Sequence, residues 1–276
     1  MSDEKIIDTG TNELLCTVRD RVAIITLNRP EARNALSDHL TPALRTMIRT
    51  CGEDPNVGVL LITGAGTAFC AGGDVKGMGA NRSAAKQAMS FDDKVADLQE
   101  RQRLLTGALA SVRKPTIAAL PGAAAGAGLA IAMACDIRIA AESAFVTTGY
   151  LRVGLSGDYG IAWLLTRLVG TSRARELMFT GEKVDAKRAE SIGLVNRVVP
   201  DAKLRDEAYA LAKSIAEGPT IALRYMKDNL DEALAFDFAT ARDHEAVRLI
   251  RTAATADHRE AVQAFVEKRK PVFTGN

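Results

Sequence analysis

The chain has 276 residues, 47% of them hydrophobic and 25% charged, which excludes a disordered or collagen-like protein and supplies material for one large α/β unit or two domains. With 36 Lys and Arg against 34 Asp and Glu, the net charge is only +2, and there is no basic stripe of the kind that marks a nucleic-acid binder. The four cysteines (Cys16, Cys51, Cys70, Cys135) are far apart, follow no signal peptide and form no CxxC, so they read as reduced thiols of a cytoplasmic protein.

Leu14 to Val18 and Val22 to Leu27 are short β-branched runs around Arg19-Asp20-Arg21 and predict a hairpin. Leu40, Leu44, Met47 and Ile48 fall at helical spacing, with the stop near Cys51-Gly52. Val57 to Thr63 reads as a strand covered on both faces and runs into a glycine-rich loop. Gly77 to about Phe91 has little apolar periodicity and reads as a mobile loop. A long helix follows, carrying Val95, Leu98, Leu105, Leu109 and Val112, and Lys114-Pro115 ends it.

Thr116 to Leu120 is a predicted buried strand. The uncharged stretch from Ile117 to Cys135 raises the question of a membrane span, but it is mostly alanine and is broken by Pro121, Gly122, Gly126 and Gly128. It reads as a Gly/Ala loop entering a tightly packed helix near Gly128, and no membrane partner is expected. A strand over Ile137 to Ala140 and a helix from about Tyr159 to Val169 come next. After Thr171 the chain is read as helical, apart from a strand over Leu194 to Val199. Helices are predicted over Lys203 to Glu217, Pro219 to Leu234, Phe236 to Thr252 and Ala256 to Arg269. Strand–helix alternation before a helical tail defines an α/β core over 1–200 and an α-helical region over 201–276.

The common catalytic templates fail. Gly126-Ala127-Gly128 has Ile131 where a dinucleotide fingerprint needs a small residue. Gly154-Leu155-Ser156-Gly157 is one residue short of a nucleophile elbow, and no P-loop is present. His39, His244 and His258 lack metal-ligand spacing and read as helix-surface residues; Cys70 reads as a small buried hydrophobe. Two glycine-rich corners remain, Phe69 to Asp74 and Pro121 to Gly128, each following a buried strand. Small residues let a ligand approach the backbone, and a helix N-terminus presents free N–H groups. Two such groups aimed at one point would form an oxyanion hole for a thioester enolate; the same glycines would also suit close strand–helix packing.

Over nearly its whole length the sequence resembles the crotonase superfamily of enoyl-CoA hydratases and isomerases. The resemblance is carried by Leu27-Asn28-Arg29-Pro30-Glu31-Ala32-Arg33-Asn34-Ala35-Leu36, Phe69 to Asp74, Pro121 to Asp136, Trp163 to Gly170, Thr180-Gly181, Ile192 to Val199 and Phe265 to Phe273. It implies an α/β spiral of strand–strand–helix (ββα) units, a helical C-terminal trimerisation region and a homotrimer or hexamer. It also implies an acyl-CoA substrate and no separate cofactor, because coenzyme A enters with the substrate. The oxyanion donors it implies are the backbone N–H groups of Ala71 and Ala127. CoA and acyl contacts fall on Ala32, Gly72, Gly73, Asp74, Val75, Gly128, Ala130 and Tyr150.

The departures from that pattern carry the functional reading. Classical hydratases of the family use two glutamates, which here fall on Ala130 and on Gly149 or Tyr150, so two-glutamate hydration is disfavoured. Asp158 matches the position where some isomerases and a dehalogenase branch carry a working aspartate. It also stands just before an apolar helix, where aspartate is a good N-cap, so both roles are open at this point. Asp74 reads as a capping residue, Glu142 as a solvent-facing turn and Tyr150 as a pocket-lining aromatic. The expected activity is an isomerase-type proton shuttle on an enoyl-CoA through Asp158. The alternatives are hydration with an unconventional base, hydrolysis or dehalogenation by nucleophilic Asp158, and a catalytically silent acyl-CoA-binding subunit.

Overall fold

The structure is a computed structural model that describes residues 4–74 and 89–276. The reading of a mobile loop over Gly77–Phe91 lies outside the described residues, except for its last three positions. At Phe91 a helix is already under way, capped by the Ser90 side chain, which accepts from the Asp93 N–H.

A seven-stranded sheet has the order β1 (Lys5–Ile7), β2 (Leu14–Arg19), β3 (Val22–Leu27), β4 (Val59–Gly64), β6 (Thr116–Leu120), β8 (Ile137–Ala141), β11 (Arg197–Val199). The predicted hairpin is β2–β3, with Arg19 opposite Val22. Asp20 and Arg21 form its two-residue turn, both at positive φ (50° and 63°), the conformation that matches strand twist. From β3 to β11 neighbouring strands are parallel, and β4 and β6 are almost wholly buried, as strands covered on both faces must be.

A smaller sheet has the order β10 (Val184–Asp185), β9 (Phe145–Thr147), β7 (Ala123–Ala125), β5 (Ala68–Cys70). Three parallel strands of the large sheet pass the chain to the small one: β4 to β5, β6 to β7, β8 to β9. A helical segment then returns it, which is the ββα spiral expected. None of the four strands of the small sheet was predicted: Ala68–Cys70 and Ala123–Ala125 lie in stretches read as loop, Val184–Asp185 in a stretch read as helical, and Phe145–Thr147 is a strand where none was expected.

The helices are α1 (Leu40–Glu53), α2 (Phe91–Gln102), α3 (Ala108–Ser111), α4 (Ala127–Ala134), α5 (Ile161–Thr180) and α6 (Ala186–Ser191), followed by α7 (Leu204–Ala216), α8 (Thr220–Ala233), α9 (Phe238–Ala253) and α10 (Ala256–Glu267). The predicted long helix is α2 and α3 joined by a π-helical turn over Arg103–Gly107, which buries Leu105. The helix predicted to stop at Val169 continues as α5 to Thr180, past a break at Gly170, whose φ of 79° is not helical.

In α7, alanines at 208, 212 and 216 recur every four residues and are completely buried or nearly so. Their small size lets the helix lie against β3, β4, β6 and β8. This helix therefore belongs to the core, although the sequence division at residue 200 places it in the tail. Its stripe (Leu204, Ala208, Leu211, Ile215) is covered within the chain, whereas Val247, Leu249 and Ile250 of α9 remain exposed. No helix among the described residues is long and apolar enough to cross a membrane.

Candidate active site

Because β5, β7 and β9 are parallel neighbours, their carboxyl ends lie side by side. Loops at such ends are where open α/β sheets place ligands. β5 delivers Ala71–Asp74, β7 delivers Gly126 and the start of α4, and β9 leads to Gly149, Tyr150 and the segment ending at Asp158. The topology thus gathers the two glycine corners and Asp158.

The corners touch through their glycines. A Cβ on Gly128 would lie 2.2 Å from the Cys70 carbonyl oxygen, and one on Gly72 (φ +89°) would lie 2.7 Å from the Ala125 oxygen. Close packing is therefore a demonstrated role of Gly72 and Gly128, both assigned from the resemblance to the ligand. Ala130 was assigned there as well, but it is completely buried in the core and offers no surface to a ligand in this structure.

The donors of the first corner need a correction. The Ala71 N–H donates to the Arg33 carbonyl at 3.0 Å, so it is not free for an oxyanion. Gly72 donates to the Cys70 sulfur. The next N–H, that of Gly73, has no partner among the described residues. At the second corner, Ala127 is the first residue of α4, and the first hydrogen bond of that helix runs from Ala130 to Gly126. The Ala127 N–H is one of the orphan donors of a helix N-terminus.

Around the first corner the Leu27–Leu36 motif acts as a clamp. Asn34 is completely buried; its oxygen accepts from the Arg29 N–H, and its amide donates to the Ala65 and Ala68 carbonyls. Arg29 pairs with Asp74 at 3.4 Å and donates to the Ala35 carbonyl. Asp74 is thereby tied to Arg29, and the segment it would cap lies outside the described residues. Ala32 ends a short 3-10 turn at half-buried surface, and Val75 lies outside the described residues. A cavity of about 440 Å³ beside this turn is lined by Asn12, Glu13, Asn28, Arg29, Pro30 and Glu31.

Asp158 is not a helix cap. Gly160 takes the N-cap position of α5 with no side-chain cap, and the Asp158 carboxylate instead accepts a hydrogen bond from the Tyr150 phenol at 2.5 Å. Burial pushes the Asp158 carboxyl above its ordinary range, and the phenol bond opposes part of that rise. Burial first, then the neighbouring carboxylate, pushes the Tyr150 hydroxyl up as well, which keeps it protonated as a donor. Tyr150 is buried and faces the second corner: a Cβ on Gly126 would meet its hydroxyl at 3.9 Å. Carboxylate, phenol and the start of α4 therefore form one cluster.

The other sequence candidates are placed elsewhere or inactive. Cys70 is completely buried, and burial pushes its thiol up to about 12, which disfavours a thiolate nucleophile. Glu142 is exposed on a turn. His244 pairs with Glu232 on the helical tail, and no three metal-binding side chains cluster among the described residues. Sequence reasoning missed the Tyr150–Asp158 bond, which joins residues that read separately as a pocket-lining aromatic and a cap.

A ββα spiral with adjacent glycine corners and a buried carboxylate is the architecture of an acyl-CoA enzyme of the crotonase type. The enoyl-CoA hydratase/isomerase family matches residues 17–276, and the chain belongs to it. A probable enoyl-CoA hydratase of Mycobacterium bovis is 39% identical over 267 residues, covering 96% of this chain and 99% of its own. A 1,2-epoxyphenylacetyl-CoA isomerase of Escherichia coli is 35% identical over 262 residues, covering 95% and 98%. A crystal structure of an enoyl-CoA hydratase from Polaromonas superposes with a TM-score of 0.86 at 31% identity, over 95% of this chain and 99% of that one.

Proposed function

We propose that the protein isomerises an enoyl-CoA by moving one proton through Asp158 while backbone N–H groups hold the thioester oxygen. Gly73 and Ala127 supply those N–H groups, in place of the Ala71 and Ala127 pair that the resemblance implies. Polarising the thioester carbonyl acidifies the neighbouring C–H. The Asp158 carboxylate removes that proton, the electron pair moves into the enolate, and the acid formed returns the proton at the far end of the conjugated system. A carboxyl raised by burial is better matched to this work near neutral pH than an exposed one.

The observation that carries this reading is the Asp158 carboxylate held by Tyr150 beside the start of α4, with Ala130 and Gly149 or Tyr150 at the two glutamate positions of hydratases. The same groups suit opening of a strained ring next to a CoA thioester, the chemistry named for the Escherichia coli relative. Coenzyme A arrives as part of the substrate, and no further cofactor is required. The exposed Phe238, Leu249, Ile250 and Phe265 of the tail support assembly into trimers or hexamers.

Wild-type protein given trans-3-hexenoyl-CoA should form the conjugated 2-enoyl ester, and crotonyl-CoA should gain water far more slowly. Fast hydration with no isomerisation would overturn the proposal in favour of a hydratase with an unconventional base. Binding without turnover of either ester would point to a silent acyl-CoA-binding subunit.

A further inference from the structure

Asp158 stands at the end of an exposed stretch that opens with a 3-10 turn over Tyr150–Val153. Residues 151–157 are all exposed, and Gly154 (φ 67°) and Gly157 (φ 128°) give the segment backbone freedom that other residues lack. Backbone bonds brace it, from the Arg152 N–H to the Gly149 carbonyl, from Gly154 to Leu151, from Leu155 to Tyr150 and from Ile161 to Asp158, and the Arg152 side chain donates to the Gly181 carbonyl. None of these fixes the carboxylate. The side-chain bond that does so comes from Tyr150, which is itself 7% exposed and packed beside Gly126. A phenol retained only for packing would leave its O–H free to bond backbone or water; this one is committed to the carboxylate.

We infer that Tyr150 is the positioning residue of this site, anchoring Oδ1 of Asp158 through its phenol O–H and leaving Oδ2 to face the reacting carbons. The inference rests on the proton-shuttle reading of Asp158. It removes Tyr150 from the substrate contacts and makes it act through the carboxylate. Because the phenol bond favours the charged carboxylate, Tyr150 also sets the pH at which Asp158 becomes a base. Among the described residues, the other titratable group beside Asp158 is Tyr159, which is in turn opposed by Arg45 of α1 and Arg101 of α2.

The test is the Tyr150→Phe variant, which keeps the ring against Gly126 and removes only the O–H. With trans-3-hexenoyl-CoA, kcat should fall about 10- to 100-fold at neutral pH with KM nearly unchanged. The acid limb of the kcat profile should move to higher pH. In an Asp158→Asn background the same substitution should cost nothing further, because there is no base left to position. Wild-type kcat with an unmoved acid limb would overturn the inference while leaving the role of Asp158 intact. An equal proportional loss in both backgrounds would also overturn it, as a structural effect. If Asp158→Asn alone retained full activity, the proton-shuttle reading itself would fail. Should Tyr150→Phe not fold, site-specific 3-fluorotyrosine at position 150 keeps the shape with a more acidic O–H. It should move the acid limb to lower pH, and an unmoved limb would overturn the inference.

Discussion

Replacing Gly128 with alanine tests whether the two corners must touch for the site to work. The added methyl would lie 2.2 Å from the Cys70 carbonyl oxygen and 2.7 Å from Cys70 Cβ. Carbon contacts are comfortable only beyond about 3.5 Å, so α4 and the loop after β5 would have to separate by about 1 Å. Neither obstacle is the far end of a flexible side chain, so the strain falls on the backbone. Overpacking of this kind costs about 1–3 kcal/mol, which in a chain of this size lowers Tm by about 2–4 °C for each kcal/mol. A displacement of about 1 Å between groups that share one reacting atom reduces turnover by about 10²-fold. Differential scanning fluorimetry and kcat/KM on trans-3-hexenoyl-CoA read the two effects separately. Gly10→Ala is the control: its φ of 73° is strained for alanine, but nothing lies within 4 Å of the added methyl, so stability should drop with activity retained. A Gly128→Ala protein with unchanged Tm and unchanged kcat/KM would refute the packing argument.

Burial raises the Asp158 carboxyl, so the native state holds its proton more tightly than the unfolded chain does. Stability should fall as pH rises from the unfolded pKa through the raised native one, and the charged carboxylate should remain a cost above it. Asp158→Asn should therefore have a higher Tm than wild type at neutral pH, with the gap closing in acid; a lower Tm at pH 7 would contradict this. All four cysteines are buried, and Cys70 and Cys135 are pushed up to about 12, so a thiol reagent should titrate them only after denaturation. Rapid labelling of the native protein would count against the fold described. In the tail, Leu249→Asp with Ile250→Asp should convert a trimer or hexamer to monomers in sedimentation experiments. A wild-type protein that is already monomeric would remove the proposed assembly.

The inner strands of the large sheet were legible because they are β-branched runs bounded by turns, as in Val22–Leu27 and Val59–Gly64, whereas the three-residue edge strand Lys5–Ile7 was not predicted. The small sheet was less legible. Ala123–Ala125 has no β-branched residue, and its strand conformation comes from pairing with β5 and β9 rather than from propensity. Phe145–Thr147 carried an aromatic and β-branched signal in three residues, too short a run to stand out. Ala71 and Ala127 were both indicated by the family resemblance alone, and nothing local told against Ala71. The Ala71 amide is taken by Arg33, distant in sequence and itself in the left-handed region at φ 51°. Asp158 had the sequence setting of a cap, and only the fold reveals that its partner is the Tyr150 hydroxyl.

The central claim is that Asp158 carries the proton, and deuterium wash-in tests it most directly. Wild-type protein in D2O with trans-3-hexenoyl-CoA should introduce deuterium at the carbon next to the thioester or at the far end of the shifted double bond, read by mass spectrometry of the recovered ester. Asp158→Asn should keep the thermal shift produced by the CoA ester and lose the exchange by about 10²–10⁴-fold, the range for removing one general acid/base. Exchange at the wild-type rate in a folded, ligand-binding Asp158→Asn protein would contradict the account.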